Sequence, residues 1–441
     1  MMDKSSPQRR ARRPQRVLGP AGVLVGALLL TAACSSSGSS SSAGASEATG
    51  SASSTGTAAA PAGSTISLGI ITDTGTAVDQ PDEVAAVKGA VRDLNAHGGI
   101  NGHQVALVYC NENLDPNQAR ACARQLIGDH VMAFVGNAVV TAEPDVDKLM
   151  AAAGIANVGP TSYSGASGND PNSFLFTPGF DYSNAALALY AVKSAGPKVA
   201  QVMLDSPITA NYVPVISGTV GAVGGQYVST VKAPQVSSDL SPQAATLLSA
   251  SPDAVITNTS DAGSLQVIKD MAQLGYHGKF VSGAAQFLQS DLSSLGALAN
   301  QIQIVSPFPP ASDTGIPGIA RFHADMLAEK AAGDSAAPVD DQIVRAPAMS
   351  GWLAVMAVQT IADSAKATTA TEFEKAIKAA SNVDLMGVIP PWTPNKAVSG
   401  PITRVSWGSF YDIGWKDGKA TLLNQAPVDV TSYVNKFYPK S

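Results

Sequence analysis

Charge is scarce in this chain. Asp, Glu, Lys and Arg make up only 14% of the 441 residues, and the net charge is −6; ordinary globular domains carry about a quarter charged residues. No basic stripe and no cluster of aromatic with basic residues occurs, which argues against a nucleic-acid surface. Catalytic signatures are missing as well. His97, His103, His130, His277 and His323 fall at no metal-ligand spacing, and neither H-E-x-x-H nor C-x-x-C is present. His97 and His103 flank a glycine turn and read as solvated. A phosphate-binding G-x-x-x-x-G-K-[ST] and a G-x-S-x-G nucleophile elbow are also lacking. The sequence therefore implies no metal, no cofactor and no enzyme of these classes.

Cysteine is nearly as scarce, with Cys34, Cys110 and Cys122 alone. Cys34 closes a leader. Lys4, Arg9, Arg10, Arg12, Arg13 and Arg16 precede the apolar run from Val17 to Leu30, which is short for a membrane span and ends in small residues. Leu30, Thr31, Ala32, Ala33 and Cys34 then resemble the lipobox of bacterial lipoproteins, with leucine one place further from the cysteine than is commonest. The alternative is an ordinary secretory signal. From Ser35 to about Ser64 the chain is Ser, Gly, Ala and Thr with little bulk, too little to offset its ordering entropy, so it reads as a flexible tether. A lipid and a tether would hold the rest of the chain near a membrane without spanning it. The remaining pair, Cys110 at a strand end and Cys122 on the following helix, suggests a disulfide in an exported protein. The alternative is two buried free thiols.

Beyond the tether the pattern is α/β. Ile66, Leu68, Ile70 and Ile71 mark a short buried strand, and Val84, Val87, Val91 and Leu94 recur at helical spacing. Gly98 and Gly99 stop that helix, and a second strand runs to Tyr109. The theme continues through a helix at 118–127, a strand at 131–135, a helix at 145–153 and a strand at 155–158. It restarts after residue 180, with a helix at 183–194 and strands at 199–204, 227–231, 254–258 and 280–282. Helices are expected between those strands at 213–220, 242–250 and 264–274. The strand at 302–310 ends in prolines; helices at 319–332, 346–363 and 371–380 and a terminal hairpin near Asp417-Gly418 follow. Alternating elements of this kind predict parallel sheets with helices on both faces.

LGIITDTG in the first strand, VRDLNAHGGINGHQVALV, NENLDPNQARACARQLI, AFVG and VGPTS together resemble the type I periplasmic solute-binding proteins. These are the extracytoplasmic receptors of ABC importers, in the branch that includes leucine/isoleucine/valine-binding proteins. The resemblance implies two Rossmann-like lobes joined by a three-segment hinge, with a small-molecule solute captured between them and passed to permease and ATPase subunits. Crossovers would fall near 178–181, 305–309 and 403–407. The implied organisation is a signal peptide at 1–33, a lipidated cysteine and tether at 34–64, a first lobe at 65–179 plus 308–403, and a second at 180–307 plus 404–441. The protein is expected to be a monomer on the outer face of the cell membrane.

The resemblance also implies a ligand set. Thr141, Thr161, Ser162 and Tyr163 lie in the loops that supply hydroxyls and N–H groups to a ligand carboxylate; Thr141 otherwise reads as a helix cap, and Thr161 and Ser162 as turn residues. The family's aromatic cover would fall near Asp79 or Gln80, and neither is aromatic. Tyr212 corresponds to a stacking tyrosine of the second lobe, or starts a helix. Gln286 stands in the loop where the family has an acid for the ligand ammonium. After Thr259, Asp261 is placed to supply that charge, or to cap the helix at Ser264. The solute class left open is an amino acid, an amide or a related carboxylate. A sensor reporting to a membrane partner shares every one of these features.

Overall fold

The structure, a computed structural model, describes residues 63–206, 209, 211–234, 239–339, 341–396, 401–424 and 426–439. The expected leader and Cys34 lie outside the described residues.

Strand β1 (Ile66–Thr72) is sandwiched: Ile66, Leu68 and Ile70 enter one core and Ile71 the opposite one, as suits a parallel strand covered on both faces. Helix α1 (Pro81–Ala96) begins at a proline and buries Val84, Val87, Val91 and Leu94 on one side. Gly98 and Gly99 follow at φ 104° and 72°, a backbone that side-chained residues rarely adopt. The chain then returns as β2 (Val105–Asn111), in parallel register with β1. Helix α2 (Pro116–Gly128) starts on Asp115, whose carboxylate accepts from the N–H groups of Asn117 at 2.7 Å and Gln118 at 3.3 Å. Next come β3 (Ala133–Val135), α3 (Glu143–Ala152), β4 (Ala156–Val158) and β5 (Ser173–Phe174), completing a parallel sheet ordered β2-β1-β3-β4-β5.

A second sheet is built next. After α4 (Gly179–Tyr190) come β6 (Lys198–Leu204), α5 (Tyr212–Ala222), β7 (Gln226–Ala233), α6 (Ser241–Ser249) and β8 (Ala254–Asn258). Then α7 (Asp261–Gln273), β9 (Lys279–Gly283), α8 (Gln289–Ser294) and β10 (Ile302–Ser306) follow. Helices α9 (Pro317–Ala331), α10 (Ala346–Ala365) and α11 (Ala370–Ala379) then rejoin the first sheet, where α9 and α10 pack on α1. The tail supplies β11 (Ser409–Lys416), β12 (Lys419–Leu422), β13 (Val428–Asp429) and α12 (Thr431–Phe437) to the second sheet, whose order is β12-β11-β10-β9-β8-β6-β7. Strand β11 runs antiparallel to β10. Its hairpin with β12 turns on Asp417 and Gly418, both at positive φ, the chemistry of a tight hairpin turn.

The chain thus crosses between sheets three times. Trp407, on the last crossing, donates its Nε1–H to the Phe176 carbonyl beside the first at 2.6 Å. Gly136, at the end of β3, shows why glycine is needed there. Its φ is +67°, and a Cβ would meet the Cα of Gly351 in α10 at 2.5 Å.

Cys110 and Cys122 form a disulfide, with Cα atoms 5.6 Å apart, that ties β2 to α2. Replacing both by serine is expected to cost about 3 kcal/mol, the chain-entropy value for so short a loop. Urea unfolding of the double variant measures it, and a loss under about 1 kcal/mol would contradict that role.

Strand β10 stops at Ser306 rather than at 310, because Pro307, Pro309 and Pro310 carry no N–H for the sheet, and two helix starts differ as well. Helix α4 begins at Gly179 rather than Ser183, because its first turn is Gly, Phe, Asp and Tyr, poor helix formers that burial holds in place. Helix α7 begins at Asp261 rather than Ser264 and is capped by Ser260, whose Oγ accepts from the Gly263 N–H at 3.2 Å. Asp261 is therefore not the cap, and its carboxylate is free for another partner.

Candidate functional site

The carboxyl ends of strands from both sheets converge on one cleft, the usual place for ligand in parallel α/β sheets. From the first sheet's side come Val78 and Gln80 after β1, Val140 after β3 and Tyr163 after β4. From the second come Leu204, Tyr212, Thr259, Asp261 and Gln286. The walls are close together, leaving about 60 Å³ open to the centre of a water-sized sphere. A smaller adjoining space is lined by Thr161, Thr177, Ser183 and Ala346, with Phe180 and Gln286 shared between the two.

Three aromatic rings form one wall. Tyr163 stacks on Phe180 at 4.9 Å between centroids, and Phe180 lies nearly parallel to Tyr212 at 6.4 Å. Phe180 stands on the first crossing between the sheets, so the stack joins one side of the cleft to the other. Gln80 donates to the Tyr163 hydroxyl at 2.6 Å. Across the cleft, Ser264 donates to Gln286 Oε1 at 3.0 Å and Asn258 to Asn184 Oδ1 at 2.6 Å.

The charged centre of the cleft is Arg345, at the start of α10. Its Nε donates to Asp82 Oδ2 at 2.9 Å and its Nη2 to Asp82 Oδ1, a two-pronged pair with the first turn of α1. Its Nη1 reaches Asp261 Oδ2 at 2.9 Å on the first residue of α7. The guanidinium therefore bridges elements of both sheets. Burial alone would lower its pKa, but Asp82 and Asp261 more than reverse that. Burial pushes Asp261 up to about 7 even though Arg345 opposes it; Asp291, Asp82 and Asp79 push in the same direction as burial.

Two buried carboxylates hold the first-sheet loops. Glu143, at the start of α3 and only 3% exposed, accepts five hydrogen bonds from the loop after β4. Ser162 Oγ gives 2.7 Å, the Tyr163 N–H 2.8 Å, the Ser164 N–H 2.7 Å and its Oγ 3.0 Å, and the Ser167 N–H 2.9 Å. Glu112, just beyond β2, accepts from the Val140 N–H at 2.6 Å and Thr141 Oγ1 at 3.0 Å. Burial, reinforced by Asp73 beside it, raises Glu112 to about 8.

The structure brings six of the nine residues expected from the sequence to the cleft. Tyr163, Tyr212, Thr259, Asp261 and Gln286 line the main space and Thr161 the adjoining one. Thr141 and Ser162 instead donate to Glu112 and Glu143. Asp79 lines neither space and accepts from the Gly75 N–H at 2.8 Å, while its neighbours Val78 and Gln80 line the main one. Sequence reasoning missed Arg345, Phe180 and Val140. Phe180 had a usable signal, since it follows Pro178 and Gly179 on an expected crossover. Arg345 had none.

A two-sheet body whose chain crosses three times, with a cleft at the strands' carboxyl ends, defines a two-lobed solute-binding fold. Residues 65–406 match the periplasmic binding protein family, and the chain belongs to it. Members of that family are extracytoplasmic solute-binding proteins that partner ABC transporters, of the leucine/isoleucine/valine-binding type. A Leu/Ile/Val-binding protein homolog 2 of Brucella abortus (strain 2308) is 41% identical over 51 residues, which are 12% of this chain and 14% of that protein. A fatty acid ABC transporter substrate-binding protein from Thermomonospora curvata shares the fold at a TM-score of 0.70 and 17% identity, covering 85% of this chain and 95% of the other. A leucine-binding protein from Thermotoga maritima does so at 0.67 and 15%, covering 82% and 99%. Among the described residues, no helix is long and apolar enough to cross a membrane.

Proposed function

We propose that this chain is the lipid-anchored receptor of an ABC importer. It captures a small polar solute between its lobes and passes it, chemically unchanged, to a permease driven by ATPase subunits. The observation that carries this reading is the cleft itself, walled from both sheets by aromatic rings and by Arg345, which touches Asp82 on one side and Asp261 on the other. Groups that touch both lobes couple binding to closure, because a ligand between them favours the closed arrangement over the open one. We assign the lobes to 65–179 plus 308–403 and to 180–307 plus 404–441, and the anchor to Cys34 with a tether to residue 64. Tyr163, Tyr212, Thr259, Asp261, Gln286 and Thr161 are the residues proposed to meet the solute, in a monomer on the outer face of the membrane.

Two measurements test this. Cys34→Ala is expected to move the protein from the membrane fraction to the medium, and unchanged retention would refute the lipid anchor. A strain lacking the chain is expected to lose uptake of the bound solute. Unaltered uptake together with a lost transcriptional response would favour a sensor instead.

A further inference from the structure

Most of the devices that would receive a carboxylate in this cleft are already filled from within, the Thr161 hydroxyl excepted. The loop after β4 gives its Ser162 and Ser164 hydroxyls and the Tyr163, Ser164 and Ser167 N–H groups to Glu143. The loop after β3 gives the Val140 N–H and the Thr141 hydroxyl to Glu112. The cleft's guanidinium is committed as well, to Asp82 through two nitrogens and to Asp261 through the third. A ligand anion would have to displace Glu143 from the loop after β4, Glu112 from the loop after β3 and two aspartates from Arg345, and the bonds to the Arg345 guanidinium are charge-assisted, about twice as strong as neutral ones.

What remains unsatisfied is one amide oxygen that can only accept and one hydroxyl that can accept as well as donate. Gln80 Oε1 and Thr259 Oγ1 belong to cleft-lining residues only 4% and 6% exposed, and neither atom has a hydrogen-bond partner among the described residues. Buried polar atoms left in this state cost free energy that a ligand hydrogen bond recovers. Asp261 offers its second oxygen, since Arg345 engages the other. The Tyr163 and Tyr212 rings, at the two ends of the stack, line the same space, and aromatic π faces attract cations. Three carboxylates, Asp79, Asp82 and Asp291, act on Asp261, against the single positive charge of Arg345.

We infer that the solute of this cleft presents a cationic nitrogen, held by Asp261, Gln80 and Thr259 against the aromatic wall, and carries no carboxylate for the first-sheet loops. This rests on the solute-receptor reading and narrows its ligand class to amines and related organic cations.

Protonation of Asp261 supplies a readout on the unmodified protein. Burial raises Asp261 to about 7, with Arg345 opposing and Asp291, Asp82 and Asp79 adding to the rise. A bound cation favours the ionised carboxylate, so binding requires proton loss and weakens as pH falls below about 7. For one such group, affinity at pH 8 is expected to exceed that at pH 6 by about tenfold.

The test is calorimetry on the full chain in detergent, with matched amine, amide and carboxylic acid triplets on linear, branched and aromatic skeletons. The expected result is that amines bind at least tenfold more tightly than the acids of the same skeleton. Their affinity should fall about tenfold from pH 8 to pH 6, and Asp261→Asn should remove both the pH dependence and most of the preference. An acid or amide that binds as tightly as its amine, or amine affinity that is flat with pH, overturns this inference and leaves the receptor reading standing. No binding across all triplets overturns both.

Discussion

Arg345→Met is expected to lower the unfolding free energy by about 3–5 kcal/mol near neutral pH. The side chains of Arg345 and Asp82 are 2% and 3% exposed, so the pair is out of water. Removing one member of such a pair leaves an uncompensated buried charge, which costs more than the intact pair contributes. The substitution also frees Asp261 from the only cation that touches it among the described residues, and that contact links the two sheets. Because most of the loss comes from the stranded carboxylate, Asp82→Asn in the same chain is expected to recover the larger part of it. Urea unfolding of the two single variants and the double variant closes the cycle. A single-variant loss under about 1 kcal/mol, or a double variant no better than Arg345→Met, would contradict this account.

Glu143→Ala is expected to cost a similar amount, about 3–5 kcal/mol, for a different reason. No charge is stranded there; instead the N–H groups of Tyr163, Ser164 and Ser167 and the Ser162 hydroxyl lose their acceptor within a buried loop. Each unsatisfied buried donor costs about 1–3 kcal/mol, and entering water offsets part of the sum. The vacated cradle matches a free carboxylate, so acetate is expected to restore stability to the variant in a saturable way and to leave the unsubstituted protein unchanged. Equal acetate effects on both proteins would remove Glu143 from this role. The experiment also bears on ligand class, because it opens a carboxylate site that the native chain keeps closed.

Much of the fold was legible because it is written locally. The period of Val84, Val87, Val91 and Leu94 defines α1 and its buried face, and Gly98 and Gly99 end it at the backbone geometry only they accept readily. Asp417-Gly418 marked the terminal hairpin. The cleft was half legible. Tyr163, Thr259 and Gln286 stand in loops after strands and Tyr212 and Asp261 open the next helices, where the family resemblance pointed. The contacts that give the cleft its chemistry span the chain. Arg345 meets Asp82 across 263 residues and Asp261 across 84, and nothing near IVRAPAMSGW points to either partner. Glu112 and Glu143 were equally silent, since an acid near a helix start reads as a favourable end charge. Only the folded chain shows that they occupy donors a ligand would otherwise use. Ser260 rather than Asp261 as the cap of α7 is a shift of one residue, yet it releases the carboxylate that faces the cleft.

The central claim is that the cleft captures one small solute reversibly and without chemistry. Equilibrium dialysis of the full chain against a metabolite mixture, with mass spectrometry of what is retained, tests it most directly. The account predicts one solute held at close to one molecule per chain and recovered unchanged. Re-added at about a hundred times its dissociation constant, it should stabilise the protein by about 2.7 kcal/mol. Recovery of a chemically altered compound, or stoichiometric retention that brings no stabilisation, would contradict it.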